Sequence, residues 1–316
     1  MPTNEKILGV ILTGGKASRL RPLSNFFTKS QIPLLNRPLI AYAIDLLASA
    51  KIEEIAIVIG PNDQETEIIA KAYRPDLKIS THIQATPRGS GDALAACGPI
   101  LNKRPVVVAA VDTILKDNSP LTNQLADQIQ TFTSGNWDAW LPLHETERPS
   151  QMGIVEVTPN EQIISIEEKP DVPKSNLALV GIWMLTNKVV ERICSRPEVS
   201  PRGEIEITGM LETLHLENGS IGGRIWTGAW LDTGTLAALI KTQEMLLGDN
   251  QSLIDPSAEI IDSVIHNNVV VGPNCQLTNV DLKNALVAPG AILKNIRGHN
   301  VVIGPDSQMT SVKWIG

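Results

Sequence analysis

The sequence predicts an α/β fold: a mixed, mainly parallel sheet flanked by helices, followed by a short C-terminal β-helix. Three observations lead there. Through the first half of the 316-residue chain, short and nearly continuous apolar runs alternate with helical patterns. Beyond Trp137 the pattern changes to shorter strand-like pieces. After Gly248 three segments align at a period of 16 residues.

The elements follow in order. Lys6 to Leu12 reads as a buried strand, and Pro38 to Ala50 as a helix with proline in its first turn, where a missing N–H does no harm. Glu54 to Gly60 is a strand and Glu65 to Tyr73 a helix; Lys78 to Ile83 is a third strand and Asp92 to Leu101 a helix. Pro105 to Val111, almost all Val and Ala, is a further strand. Continuous apolar strands separated by helices imply a parallel sheet covered on both faces. The later pieces are Ala139–Leu143, Ile154–Val157, Ile163–Ile166 and Leu179–Leu185, closed by a helix from Leu236 to Leu247.

Gly248-Asp249-Asn250-Gln251 reads as a linker, which divides the chain into residues 1–248 and 249–316. The repeats are VGPNCQLTNVDLKNAL from Val271, VAPGAILKNIRGHNVV from Val287 and IGPDSQMTSVKWIG from Ile303. Each opens with an aliphatic residue, then Gly or Ala, then Pro. Each carries Leu277, Leu293 or Met309 six residues later. Ile254-Asp255-Pro256 is an earlier turn, one residue longer. A helix cannot absorb such a step every 16 residues. A coil of short strands can, with aliphatics inward and turns at the Gly-Pro corners. By resemblance to hexapeptide-repeat domains the coil is left-handed. The open ends of so short a solenoid either cap the main domain or assemble with copies of the chain.

Composition narrows the partners. Hydrophobic residues are 42% and charged residues 19%, an ordinary globular balance. A net charge of −7 argues against a broad nucleic-acid surface. Cys97, Cys194 and Cys275 are widely spaced, which fits a reducing compartment better than a disulfide framework. No basic-then-apolar leader opens the sequence, and no apolar run approaches the ~20 residues of a membrane span. These points lead us to expect a cytoplasmic protein. The five histidines show no metal-ligand spacing, and no nucleophilic Ser or Cys has an identifiable base neighbour.

The stretch LTGGKASRLRP, Leu12 to Pro22, places glycines and cations directly after the first strand. A P-loop needs G-x-x-x-x-G-K-S/T. Gly9 and Gly14 have that separation, but Gly15 stands where lysine belongs; from Gly15-Lys16, Val10 and Ala17 break the pattern. A dinucleotide G-x-G-x-x-G fails there, and fails again at Gly89-Ser90-Gly91, where Leu94 takes the third glycine's place. Backbone N–H groups of a Gly-rich turn converge on anionic oxygens, and Arg19 and Lys29 add full charges.

Gly14, Gly15, Ser18, Arg19, Leu20, Pro22, Leu23, Ser24, Lys29, Pro33, Asn36, Arg37 and Pro38 resemble the signature of sugar-phosphate nucleotidyltransferases, the NDP-sugar pyrophosphorylases. Two positions depart: Ala17 replaces a third glycine, and Thr28 a proline. Further elements follow in family order. Gln84-Ala85-Thr86-Pro87-Arg88-Gly89-Ser90-Gly91-Asp92-Ala93 resembles the base-reading segment, whose glutamine can donate and accept at once. Val111-Asp112-Thr113 resembles G-D-N at a strand's carboxyl end, with Thr113 for Asn, and Trp230-Leu231-Asp232-Thr233-Gly234-Thr235 resembles W-x-D-x-G-T. Met152-Gly153-Ile154-Val155-Glu156, with Met for Tyr, resembles Y-G-V-V-E; Glu168-Lys169-Pro170 matches E-K-P. Val180-Gly181-Ile182-Trp183 and Arg202-Gly203-Glu204-Ile205-Glu206-Ile207-Thr208 resemble the next two elements.

The resemblance covers about residues 7 to 247 and implies a Rossmann-like sheet. It implies that Gly14, Gly15, Ser18, Gln84 and Gly89 bind nucleotide, and that Gly153, Glu168 and Lys169 bind the sugar phosphate. It implies Arg19, Lys29 and Lys169 as catalytic cations, and Asp112 and Asp232 as carboxylates for Mg²⁺. The expected reaction joins an NTP, with dTTP or UTP favoured, to a sugar 1-phosphate, with glucose 1-phosphate the commonest choice. The departures at Ala17, Thr28, Thr113 and Met152 also admit a catalytically weak, sugar-nucleotide-binding regulatory subunit. A structural assembly protein built on the β-helix is the third reading.

Overall fold

The computed structural model describes residues 6–15, 17–119, 121–200 and 203–314. The described residues form two compact units. One takes in Met1–Gly15 and Ile40–Trp230, the other Lys16–Leu39 and Leu231–Gly316. This grouping is not a single cut along the chain. Residues 17–39 and 231–247 lie before the division expected at 248, yet they pack with the β-helix.

The first unit is built on a ten-stranded mixed sheet. In chain order its strands are β1 (Leu8–Leu12), β2 (Glu54–Ile59), β3 (Lys78–Ile83), β4 (Val106–Ala110), β5 (Ala139–Glu145), β6 (Gly153–Val157), β7 (Ile163–Glu168), β8 (Leu177–Leu179), β9 (Ile182–Leu185) and β10 (Ile221–Ile225). They lie in the order β7-β6-β8-β5-β9-β4-β1-β2-β3, with β10 paired parallel to β5. The β4-β1-β2-β3 half is parallel, as the continuous apolar runs require: all five residues of β1 are buried, in register with Val106–Ala110 and with Ile55–Val58. Strand β9 runs antiparallel to both β4 and β5 and joins the two halves.

Helices cover both faces. They are α1 (Leu39–Ser49), α2 (Glu65–Tyr73), α3 (Ser90–Ala95), α4 (Gln124–Ser134), α5 (Asn187–Ser195) and α6 (Ile207–Leu216). Leu8, Val10, Val106, Val108 and Trp183 on one sheet face share a core with Leu94, Val189, Ile193, Met210 and Leu214 of α3, α5 and α6. Gly9 lets α1 seat closely, since a β-carbon there would lie 3.0 Å from Leu47.

Three sequence expectations are corrected. The strand read over Leu179–Leu185 is two strands, broken at Gly181, whose φ of 78° no strand residue adopts. The helix read over Asp92–Leu101 ends at Ala95 and gives way to a 3₁₀ turn at Gly98–Leu101. Pro38 stands before α1 rather than inside it. It belongs to a small hairpin, Pro33–Leu34 against Arg37–Pro38, whose turn residues Leu35 and Asn36 both have positive φ.

The second unit holds that hairpin, α7 (Leu236–Leu247) and the β-helix. Parallel strands stack coil on coil: Val271 on Val287 on Ile303, and Leu277 on Leu293 on Met309. The step is 16 residues there and 17 between Ile254 and Val271, matching the longer first turn. Val271, Val287, Leu277 and Leu293 are buried inside the coil. Asn268, Asn274, Asn279, Asn284, Asn295 and Asn300 take the left-handed conformation at corners. Their amides form ladders, Asn279 to Asn295 at 2.7 Å and Asn284 to Asn300 at 3.1 Å. This arrangement is compatible with a left-handed β-helix. Cys97, Cys194 and Cys275 are free, and burial pushes the Cys97 thiol up to about 12.

Candidate active site

In the first unit, strand β1 ends where the Thr13 N–H and hydroxyl both donate to Val58 O, at 3.2 and 2.7 Å. The chain then turns through Gly14 and Gly15. Gly15 has φ of 112°, a conformation only glycine holds without strain, and both glycines are exposed. Gln84, at the end of β3, is buried beside them: its Oε1 lies 3.4 Å from the position a Gly14 β-carbon would take. Its amide nitrogen donates to Asp92 Oδ2 at 2.8 Å and to Gly89 O at 3.2 Å. Arg88 ties the other Asp92 oxygen at 2.6 Å. Gly14, Gln84 and Gly89 therefore form one cluster, and Asp92, a variable position of the motif with no role assigned from the sequence, is a member.

The 204–208 element docks onto this turn. Gly91 N–H donates to Ile205 O, Ile205 N–H to Arg88 O and Ile207 N–H to Ser90 Oγ, at 2.8, 2.6 and 2.9 Å. A β-carbon on Gly89, whose φ is 116°, would fall 2.3 Å from Ile205 O. That contact explains why glycine stands there. Arg202 and Lys16 lie outside the described residues.

Asp112 follows β4 at the same sheet edge, since the preceding Val111 N–H donates to Leu12 O at 3.1 Å. Thr113 is buried, and its hydroxyl donates to Val180 O at 2.7 Å. Gly181 leaves room for it: a β-carbon there would meet Thr113 Oγ1 at 2.6 Å. The threonine thus locks the Asp112 turn to the Val180-Gly181 element.

Gly153, Glu168 and Lys169 form a second cluster. Glu168 pairs with Gly153 across β6 and β7, and Glu168 Oε2 sits 2.9 Å from where a Gly153 β-carbon would be. Leu179 and Thr208 close the same spot at 3.0 and 3.3 Å. Lys169 has φ of 51°; its N–H donates to Met152 O at 3.0 Å, and its ammonium lies 3.1 Å from Glu168 Oε1. Met152 thus serves through its backbone. Glu212, one helical turn beyond Thr208 on α6, has its carboxyl held above the usual range by burial and by the nearby charges of Glu167 and Glu168.

In the second unit, Ala17 has φ 46° and ψ 27°. The alanine is held in the left-handed conformation that glycine would take freely, and its carbonyl accepts from Leu20 N–H at 2.8 Å. Ser18 and Arg19 follow in an exposed 3₁₀ turn, Ser18–Leu20, and Arg19 has no ion-pair partner among the described residues. Thr28 opens the next turn, Lys29–Gln31. Its N–H donates to Gln31 Oε1 at 3.3 Å and its hydroxyl bonds Ser30 at 2.8 Å. A capping threonine so does the work of the motif's proline, and half-buried Lys29 leads the turn. Asp232 is exposed; its Oδ1 accepts from Gly234 N–H at 2.8 Å and its carbonyl from Thr242 Oγ1 at 2.8 Å. Arg19 comes to the same place: a Gly234 β-carbon would lie 3.0 Å from Asp232 Oδ1 and 3.6 Å from Arg19 Nη2.

Among the described residues no group of three or more His, Cys, Asp or Glu side chains could cage a metal. Asp112 and Asp232 are hard oxygen donors, and Asp232 Oδ2 accepts no hydrogen bond among the described residues. Each is a donor of the kind a hard divalent cation takes one or two of, its other ligands coming from phosphates and water.

The sequence model of the family described as Nucleotidyl transferase matches residues 8–248. The chain is 31% identical over 243 residues to a low-salt glycan biosynthesis nucleotidyltransferase of Haloferax volcanii, an alignment covering 76% of this chain and 66% of that one. It is 26% identical over 294 residues to a glucose-1-phosphate thymidylyltransferase of Streptomyces griseus, covering 89% and 80%. A crystal structure of a Bacillus anthracis protein assigned as a glucose-1-phosphate thymidylyltransferase, in complex with sucrose, superposes with a TM-score of 0.67 at 28% identity, covering 78% of this chain and 96% of that one.

Proposed function

Because the chain belongs to the nucleotidyl transferase family, we propose that it is an enzyme joining an NTP to a sugar 1-phosphate, with release of an NDP-sugar and pyrophosphate. A sugar-phosphate oxygen attacks the α-phosphorus in line, the bond to the β-phosphate oxygen breaks, and pyrophosphate leaves with the electron pair. The nucleophile is already ionised, so no covalent enzyme intermediate is needed. The protein's work is to position two anions and neutralise their charge.

The observation that carries this reading is the placement of Gln84 against Gly14: a buried amide oxygen beside an exposed glycine turn. One recognises a base edge, and the other gives backbone N–H groups to phosphate. On this reading Gly14, Gly15 and Ser18 hold the triphosphate, and Gln84 and Gly89 hold the base. Arg19 and Lys29 take the charge of the departing pyrophosphate. Glu168 accepts from sugar hydroxyls over Gly153, and Lys169 grips the sugar phosphate. Residues 1–248 carry the reaction and 249–316 the β-helix.

A divalent metal suits these substrates, and we take it to be Mg²⁺. Bound to phosphate oxygens, it would neutralise charge on the triphosphate. Asp112 and Asp232 would hold it.

The four departures from the family pattern support an active enzyme over a weak regulatory subunit. Ala17 keeps the left-handed backbone, Thr28 caps its turn, Thr113 locks the Asp112 turn and Met152 acts through its carbonyl. No helix among the described residues is long and apolar enough to cross a membrane. We place the enzyme in the cytoplasm, where its free cysteines and nucleotide substrate fit, and assign the β-helix a role in self-assembly.

Pyrophosphate release measured over a panel of NTPs and sugar 1-phosphates tests this function. Turnover with dTTP or UTP and glucose 1-phosphate is expected. Binding without turnover across the whole panel would contradict it.

A further inference from the structure

The Gly-Pro corners of the β-helix raise a question the repeat does not answer. Gly272, Ala288 and Gly304 stack in one column, because Val271, Val287 and Ile303 are in register. Gly272 is demanded by the coil, since a β-carbon there would lie 2.8 Å from Pro289 N. Ala288 shows that the column accepts a methyl group. Gly304 has no further coil above it among the described residues. The atoms facing its β-carbon position are Phe26 Cε2 at 3.6 Å, Ser307 Oγ at 3.6 Å and Pro22 Cβ at 3.7 Å. Two of the three belong to the cationic loop.

Two coils back along the same column, Asn36 Nδ2 donates to Val271 O at 3.0 Å. The segment from Pro22 to Asn36 is thus bonded to the coil at Asn36 and lies over Gly304 about 10 Å away, at ~4.8 Å per coil. The part over Gly304 falls midway between the cations. Pro22 and Phe26 flank the 3₁₀ turn Leu23–Asn25, with Arg19 three residues before Pro22 and Lys29 three after Phe26. Leu20 and Leu23 are fully buried, so this turn has little freedom to shift alone.

We propose that the β-helix is the floor on which the phosphate loop is set, with Gly304 and Asn36 as positioning residues for Arg19 and Lys29. This rests on the assignment of those two cations to the triphosphate. A side chain at 304 larger than a methyl group meets the Pro22 ring and displaces it, and with it the charges. Displacement of about 1 Å in a positioned group costs on the order of a hundredfold in rate.

The test uses the full chain with Gly304→Leu, and Gly304→Ala as the variant that fits the space. In Gly304→Leu, inorganic pyrophosphate binding weakens about tenfold or more and the KM for NTP rises alike. The KM for sugar 1-phosphate stays within about twofold, because Glu168 and Lys169 belong to the other unit. Amide hydrogen exchange across residues 20–31 accelerates. Gly304→Ala behaves as the parent. Should Gly304→Leu fail to fold, Asn36→Ala removes the bond to Val271 O from the loop side and shifts the same quantities about threefold. Unchanged exchange and unchanged pyrophosphate binding would overturn the proposal. So would an equal rise in both substrate KM values with a lowered melting temperature, which marks general loosening. Faster exchange with unchanged pyrophosphate binding would instead remove Arg19 and Lys29 from the phosphates, and overturn the assignment on which the proposal stands.

Discussion

Asp92 fixes the orientation of Gln84: the amide nitrogen donates to its Oδ2 over 2.8 Å and to Gly89 O over 3.2 Å. A carboxylate only accepts, so both amide hydrogens are committed and Oε1 is left toward Gly14. An acceptor there suits the ring N–H of thymine or uracil and opposes the ring nitrogen of cytosine. In Asp92→Ala the amide is released to rotate, and the preference for dTTP or UTP over CTP in kcat/KM falls about tenfold. Pyrophosphate release with each NTP measures it; an unchanged preference counts against the acceptor role of Gln84.

Gly153 is the seat of the Glu168 carboxylate. In Gly153→Ala the new methyl meets Glu168 Oε2 at 2.9 Å and Leu179 at 3.0 Å, and the carboxylate has to move. The KM for sugar 1-phosphate rises about tenfold or more, while that for NTP changes little. Steady-state kinetics with each substrate varied in turn separates the two.

Gly15 and Ala17 answer oppositely to substitution. Gly15→Ala forces a methyl onto φ of 112° and lowers activity, whereas Ala17→Gly relieves an alanine already held at φ 46°. The strain at Ala17, about 1–2 kcal/mol, is partly offset by the greater unfolded-state entropy of glycine. Ala17→Gly therefore keeps full activity and a denaturant midpoint close to the parent's. A large gain in rate would show that Ala17 impairs the loop.

Arg19→Ala and Lys29→Ala each lower kcat by about 10²-fold or more, as loss of one preorganised charge-stabilising group does. Asp232→Asn loses activity or its dependence on divalent cation. Near-normal turnover in either cation variant, or an unchanged metal titration in Asp232→Asn, contradicts the assigned roles.

Glu212 gives a pH signature. Its carboxyl titrates above the ordinary 4.5 in the folded chain, first through burial and then through Glu167 and Glu168. The folded state therefore binds the proton more tightly than the unfolded one, and stability falls as pH rises from about 4.5 through the raised value. Glu212→Gln removes that loss. Its melting temperature exceeds the parent's at pH 8, and the difference closes toward pH 4. Equal curves at both ends would place Glu212 away from the other two carboxylates.

Elements carried by continuous apolar runs were legible in the sequence to within a residue or two, as β1 and β2 show. Helices α4, α5 and α6 were not. Leu125, Gln128, Ile129 and Phe132 keep helical spacing, but Gln128 interrupts it while binding Trp140 Nε1 at 2.9 Å. Asn123, which caps α4 through Ala126 N–H, was a start signal available to a closer reading. The candidate site was legible where it is one compact motif, as at Gly14-Gly15 or Glu168-Lys169. Asp92, Thr208 and Gly304 act on residues far away in sequence or through a space rather than a bond, so the motifs and repeat that contain Thr208 and Gly304 do not reveal these contacts.

The bond from Asn36 to Val271 joins residues 235 apart in the chain. At the usual 5–20 residues per second of synthesis, roughly 10 to 50 s separate the emergence of the two partners. The nascent cationic loop is made well before its support. Until the coil that carries Val271 leaves the ribosome, a chain with much of its sheet already synthesised has no partner for the Asn36 amide, and the loop waits on a coil made long after it.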